Sequence, residues 1–292
     1  MKKFIALILG VLLSGAILAG CSNGKKGEER NNEIFEELPI EDPPETAETP
    51  EITDPPETAE NPEVTLPEEP QSQPEPEEEP KVQKARYIKV TSDGVNIRSG
   101  AGTGYSVSGT AEKSTLYALL GEENGFYRSN YKNKTVYISK KYCEIVEMEI
   151  SDERIEAVIA EGAKLLGTKY VYGATRLHDG KGNMLKGFTV SEFDCSSLMQ
   201  YIFYKGANRL LDVNTRTQIY QGTTIGKSQL KRGDLIFFTN SSRQNNKGIE
   251  RVGHVALYLG DNYILHTASD YAKIEQISSL RWSYYIQSQR MI

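Results

Sequence analysis

The chain has 292 residues, with 34 basic and 40 acidic side chains, a net charge of −6, 3 cysteines and 3 histidines. That length allows one or two compact domains with extensions. Three dispersed histidines supply no metal-ligand cluster, so no metal or other cofactor is expected.

Residues 1–20 begin with Lys2 and Lys3, continue through an unbroken apolar and small run, and end in "LAG" before Cys21. This is the layout of a secretion signal. The apolar run is shorter than the roughly 20 residues a membrane span needs. The small residues before Cys21 resemble the lipobox of a bacterial lipoprotein. The resemblance implies cleavage before Cys21 and a diacylglycerol on its thiol, which would anchor the protein to the membrane. With Cys21 a thioether, only Cys143 and Cys195 could pair, which rules out a disulfide framework. A nucleophile must stay a free thiol, so no bond between Cys143 and Cys195 is expected.

Residues 21–84 read as a linker. All twelve prolines lie between Pro39 and Pro80, "DPPETAE" occurs twice, and Glu28 to Pro80 holds 20 acidic residues against one basic, Arg30. Such a stretch cannot offset its chain entropy by burying surface, so an extended, disordered tether is expected. The linker masks the charge of the remaining chain. From Lys81 onward there are 29 basic and 20 acidic residues, a net of +9. A basic folded part on an extracytoplasmic tether suits an anionic polymer such as a bacterial wall, and a secreted lipoprotein argues against nucleic acid as a partner.

From 85 to 147 short strand-like runs alternate with glycine turns, as in "YIKV", "GVNIRSGAGTGYSV" and "KTVYISKKYCEIV". This spacing argues for a small β-barrel. The segment resembles bacterial SH3-like domains over nearly its whole length, with Phe126 where many relatives carry tryptophan. The resemblance implies a module that targets the wall or gates a substrate groove, with a bare spacer barrel as the alternative. Cys143, near the last strand, is most simply a buried small hydrophobe.

The region 151–292 opens with an amphipathic helix. Asp152 caps it, acids occupy its first turn, Ile155, Val158, Ile159, Leu165 and Leu166 recur at helical spacing, and Gly167 comes next as a stop. Further on, "EFDCSSLMQYIF" puts Cys195 after Asp194 at the first turn of a second helix. Amides and dipole there favour a negative sulfur, and the same unpaired amides can hold a tetrahedral oxyanion. A nucleophilic thiol also needs a base. His254 opens "HVALYLG" and His266 lies in "NYILHTAS", which read as an antiparallel hairpin. A two-residue turn would put the two imidazoles on opposite faces. A three-residue turn, Gly260 to Asn262, pairs Leu259 with Tyr263 and Ala256 with His266, so both rings share one face and Val255, Leu257, Leu259 and Leu265 form a core on the other. One histidine then serves as base while the second fixes its tautomer. His178, in a glycine-rich loop, is expected to be exposed.

"YVYG", "FDCSSL", "KRGDLIFF", "GHVALYLGD" and "YILHTAS" occur in this order, and together they resemble the NlpC-type papain-like cysteine peptidases of bacterial cell walls. The fold class implied is α+β, helices packed on an antiparallel sheet, preceded by the small barrel. Position by position, the resemblance implies Cys195 as nucleophile, His254 as general base and His266 as the residue that orients it. Tyr170 matches the tyrosine that helps at the oxyanion side. Asp194 and Ser196 match residues that hold the amino end of the substrate in members acting on free peptides. Arg216 and Thr217, in "NTRTQ", match a substrate-side element at a longer spacing. Ser197 replaces the usual glycine, Lys169 a common proline, and the loop from Thr175 to Phe193 is longer than in compact members, which leaves substrate preference open.

The function implied is hydrolysis of the γ-D-glutamyl bond to diaminopimelate or lysine in peptidoglycan stem peptides or murein fragments. The same thiol would also serve an amidase cutting the muramoyl to L-alanine bond, or an acyltransferase. A third reading is an inert wall-binding lipoprotein. A barrel packed over the groove would restrict the enzyme to short fragments anchored at Asp194; a barrel swinging free would admit crosslinked wall.

Overall fold

The computed structural model describes residues 83–292. The expected signal segment, Cys21 and the acidic stretch up to residue 82 lie outside the described residues.

The alternating runs between glycine turns become eight short strands: β1 (Lys84–Val90), β2 (Val95–Arg98), β3 (Val107–Ala111), β4 (Leu116–Ala118), β5 (Gly121–Glu123), β6 (Phe126–Tyr131), β7 (Lys134–Ser139) and β8 (Cys143–Glu149). They form two antiparallel sheets, in the orders β4-β1-β8 and β3-β2-β7-β6-β5. Ile88, Val90, Ile97, Leu116, Val136 and Ile138 alternate inward and are fully buried, as a half-buried pleat requires. Phe126 is buried at the start of β6. Cys143 is half-buried against the core and, like Cys195, a free thiol.

The second half packs helices against one sheet. Its elements are α1 (Glu153–Lys164), β9 (Lys169–Tyr170), β10 (Glu192–Phe193), α2 (Cys195–Ala207), α3 (Thr215–Gln218), β11 (Thr223–Ile225), β12 (Leu235–Phe238), β13 (His254–Gly260), β14 (Tyr263–Ala268), β15 (Tyr271–Gln276), α4 (Ser279–Ser283) and β16 (Tyr285–Arg290). The strand order is β10-β9-β15-β14-β13-β12-β16-β11, antiparallel except for the short parallel pair β9 and β10. Asp152 caps α1 through the Arg154 N–H. Gly206 lets α2 approach α1 closely, because a Cβ there would lie 2.4 Å from the Val158 nitrogen.

The barrel is clamped to the α1 side of the second half. Lys132 and Asn133, both at positive φ in the β6–β7 turn, donate their backbone N–H groups to the carbonyls of Leu166 and Lys164 at 2.7 Å each. Gly167 has φ +81, and a Cβ there would strike the Tyr131 ring. The Arg232 guanidinium, with its side chain almost wholly buried, binds both Glu156 oxygens at 2.6 and 2.8 Å, the Tyr87 hydroxyl at 2.7 Å and the Leu259 carbonyl at 2.7 Å. Glu112 of the barrel accepts from the Tyr271 hydroxyl at 2.5 Å and from Lys273 at 3.2 Å. The barrel is therefore neither a freely swinging module nor a cover over the groove: no barrel residue lines either pocket beside Cys195 and His254.

The β13–β14 hairpin corrects the expected turn while keeping its consequence. Its loop is the two-residue Asp261–Asn262, both at positive φ, as a type I′ turn demands. A register shift between Tyr258 and Gly260 inserts the extra residue. Leu257 pairs with Leu265 and Tyr258 with Ile264. Continuing that register sets Ala256 opposite His266, so His254 and His266 are diagonal neighbours on one face. Val255, Leu257, Leu259 and Leu265 are fully buried on the other.

Candidate active site

Cys195 begins α2, where backbone N–H groups have no intrahelical acceptor. Asp194 fixes the helix start. Its Oδ1 accepts from the Ser197 N–H at 2.8 Å, and the Ser197 Oγ accepts from the Asp194 N–H at 2.9 Å. This reciprocal cap gives the Ser197 departure from the family pattern a role: a glycine would supply only half of it.

The backbone N–H groups of Val255 and Ser196 point at the Cys195 sulfur and favour its anion. Because Val255 is next to His254 in the chain, the contact sets the thiol against the start of β13. Burial nevertheless dominates, and with the Asp194 carboxylate it raises the thiol to about 12 against the opposing pull of those N–H groups and of Arg176. The helix start alone, which the sequence suggested would favour thiolate, is outweighed by desolvation. That direction favours a neutral thiol at rest.

His254 Nε2 lies 3.1 Å from His266 Nδ1, and His266 Nε2 lies 2.9 Å from Glu275 Oε1. Glu275 Oε1 also accepts from Arg281 Nη2 at 3.1 Å. Burial, and for His254 also the neighbouring His266, hold both imidazoles below their ordinary value. Burial alone would raise Glu275, but the hydrogen bond from His266 and the charges of Arg281 and Lys273 bring it down to about 2. A carboxylate at the end of the chain can only accept, so His266 donates its Nε2–H to Glu275 and keeps that proton. His266 Nδ1 then accepts from His254 Nε2, leaving the Nδ1 lone pair of His254 as the basic site. Glu275 was not among the residues singled out from the sequence. Its signal was there in alternation: in β15 it pairs with Ile264, two residues from His266 on the same face.

Two pockets flank this chain of residues. One, of about 150 Å³, is lined by Tyr172, Arg176, Asp194, Cys195, Ser196 and Arg216 among others. The second, of about 450 Å³, includes Thr239, His254, Arg281 and Tyr284. Tyr170 lines both and stands between them; burial, with Cys195 and Asp194 nearby, raises its hydroxyl to about 12, so it is a proton donor.

The remaining expectations divide. Arg216 reaches the smaller pocket and pairs with Glu250 at 3.0 Å. Thr217 does not: it is exposed, its hydroxyl donates back to the Asn214 carbonyl at 3.1 Å, and Thr215 lines the pocket instead. The single turn of α3 cannot point all three side chains one way. His178 is fully buried rather than exposed. The loop folds back on α2, where the His178 ring packs against Tyr204 at 5.5 Å, its Nδ1 accepts from the Gly180 N–H, and Gln200 ties the His178 carbonyl to that of Leu211.

A thiol at a helix start set against a sheet that carries two linked histidines is the papain-like arrangement. Residues 167–291 match the NlpC/P60 family and residues 93–144 the bacterial SH3 domain. The chain therefore carries an NlpC/P60 domain behind a bacterial SH3 domain. It is 32% identical to the probable endopeptidase NlpC homolog of Haemophilus influenzae over 44% of this chain and 65% of that protein. It is 28% identical to the gamma-D-glutamyl-L-lysine dipeptidyl-peptidase of Bacillus subtilis over 55% of this chain and 47% of that one. A lipoprotein-like NLP/P60 family structure from Staphylococcus aureus is 28% identical over 50% of this chain and 43% of that one, with a TM-score of 0.39. The chain spans less than two thirds of the length of the curated relatives it matches.

Proposed function

We propose that the protein is a cysteine endopeptidase of the bacterial cell wall that hydrolyses the γ-D-glutamyl bond to diaminopimelate or lysine in peptidoglycan stem peptides. The observation that carries this reading is the linked series Glu275–His266–His254 ending at the strand start that faces Cys195. The printed names of the relatives, an endopeptidase and a γ-D-glutamyl peptidase, support the bond.

In the first step His254 Nδ1 takes the Cys195 proton as the sulfur attacks the γ-carbonyl carbon. The tetrahedral oxyanion lies at the N-terminus of α2, with the Tyr170 hydroxyl as a further donor. His254 then gives the proton to the leaving amine, the carbon–nitrogen bond breaks, and a thioester to Cys195 remains. A water deprotonated by the same histidine hydrolyses it and restores the thiol. The leaving nitrogen must meet His254, so the diamino acid occupies the larger pocket and the γ-glutamyl residue sits beside Cys195 at the smaller one. A lipid on Cys21 and the acidic linker would hold the domains outside the membrane, facing the wall.

An amidase or an acyltransferase would use the same thiol but release different products. Mass spectrometry of a stem tripeptide incubated with wild type and Cys195→Ala separates them. Free diaminopimelate from the wild type alone supports the endopeptidase; cleavage at another bond replaces it.

A further inference from the structure

The smaller pocket carries an unexpected feature. In the resemblance drawn from sequence, Asp194 and Ser196 hold a substrate ammonium, and the carboxylate would need free acceptor sites to do so. In the folded protein most are taken and its charge is already paired. Oδ1 accepts from the Ser196 hydroxyl at 3.0 Å and the Ser197 N–H at 2.8 Å, while Oδ2 accepts from the Gly173 N–H at 3.2 Å and forms an ion pair with Arg176 Nη2 at 2.8 Å. Three hydrogen bonds and a buried ion pair leave little of the carboxylate for an incoming ammonium.

Arg176 is itself held in place. Its Nε donates to the Val213 carbonyl at 2.7 Å, its Nη1 to the Ala174 carbonyl, and its Nη2 also to Ser196 Oγ at 3.0 Å. A guanidinium with its donors committed in this way does not swing aside for an incoming cation. The other charges around the pocket have the same sign balance. Arg216 and Arg243 share Glu250, at 3.0 and 3.2 Å, so the pocket lining presents three guanidinium groups against Asp194 and that exposed glutamate. The barrel lies elsewhere and closes neither pocket, and Tyr172 at the rim is 80% exposed.

The geometry points to Arg176 as a specificity-determining residue that seals Asp194 against a substrate ammonium, so that the enzyme acts on stem peptides whose alanine nitrogen is amide-linked, as in glycan-attached wall, and not on free peptides. This rests on the γ-glutamyl reading of the site. An amide nitrogen carries no charge to be repelled by Arg176, and the open rim leaves room for the chain beyond it. The long loop from Thr175 to Phe193, which left preference open in the sequence, is the segment that supplies the sealing residue.

The test compares L-Ala-γ-D-Glu-diaminopimelate with its N-acetyl form, using the full chain as wild type, Arg176→Ala and Arg176→Gln. Folding is checked by circular dichroism. The wild type is expected to favour the N-acetyl peptide in kcat/KM by roughly tenfold or more, because an ammonium beside a fixed guanidinium is repelled. Both variants should move the ratio toward the free amine as Asp194 opens. Arg176→Gln serves if Arg176→Ala does not fold, and the wild-type ratio decides on its own if neither does. Equal or better cleavage of the free peptide by the wild type, or a ratio unmoved by either folded variant, overturns the proposal. If neither peptide is cut, the γ-glutamyl reading has failed. Calorimetric binding of L-Ala-γ-D-Glu and its N-acetyl form to Cys195→Ala then still decides the closure: tighter binding of the acetylated dipeptide supports it, and tighter binding of the free amine overturns it.

Discussion

His254 Nε2 meets His266 Nδ1 at 3.1 Å, and this one contact decides which nitrogen of His254 is left free as a base. The decision begins farther away, at Glu275, whose carboxylate can only accept and so fixes the proton on His266 Nε2. His266→Ala should lower kcat by about 100-fold, and Glu275→Gln, which can present the wrong end of its amide, by roughly tenfold with little change in KM. Steady-state kinetics on an N-acetylated stem peptide checks both. A Glu275→Gln enzyme with unaltered kcat would remove Glu275 from the series.

The resting thiol should react slowly with alkylating agents at neutral pH. Burial and Asp194 hold Cys195 at about 12, so its inactivation by iodoacetamide should rise about tenfold per pH unit and still be rising above about pH 9. A plateau reached by neutral pH would mean a preformed thiolate–imidazolium pair, which a neutral thiol beside a neutral imidazole does not allow.

Stability should fall on the acid side. The folded protein holds His254 and His266 below 6.5, so between their folded values and 6.5 the unfolded chain binds more protons. The stability they contribute is complete above about 6.5 and is lost as pH drops. Glu275, held at about 2 against an ordinary 4.5, adds a second loss as pH falls through that lower range. The thermal midpoint should therefore decline between about pH 7 and pH 5 and decline further below about pH 4.5. A midpoint that is flat or rises over that range would contradict the neutral, buried histidine pair.

Arg232 links the two halves through Glu156 and Tyr87 while almost wholly buried. Arg232→Ala leaves Glu156 without its partner at the interface and should cost about 3 kcal/mol in denaturant unfolding. Loss of the barrel's docking without loss of catalysis is the accompanying expectation, because no barrel residue reaches the pockets.

Much of this site was legible because the decisive residues sit at the ends of regular elements. Cys195 at a helix start and His254 at a strand start carry their positions in local patterning, and strand alternation makes Ala256 oppose His266. The turn was not legible, since the bulge between Tyr258 and Gly260 replaces one residue of loop and leaves no mark in hydrophobic pattern. His178 and Arg176 were harder still. They lie in an irregular loop, where burial depends on distant partners such as Gln200, Tyr204 and Asp194 and not on period. Thr217 shows the limit at short range: next to Arg216 in one helical turn, it faces away.

The most direct test of the central claim is mass spectrometry of N-acetyl-L-Ala-γ-D-Glu-diaminopimelate after incubation with the wild-type chain and, in parallel, with Cys195→Ala. Release of free diaminopimelate by the wild type, with none from Cys195→Ala, is the expected result. Cleavage at a different bond, or equal release by Cys195→Ala, would contradict the assignment of Cys195 as the nucleophile of a γ-D-glutamyl endopeptidase.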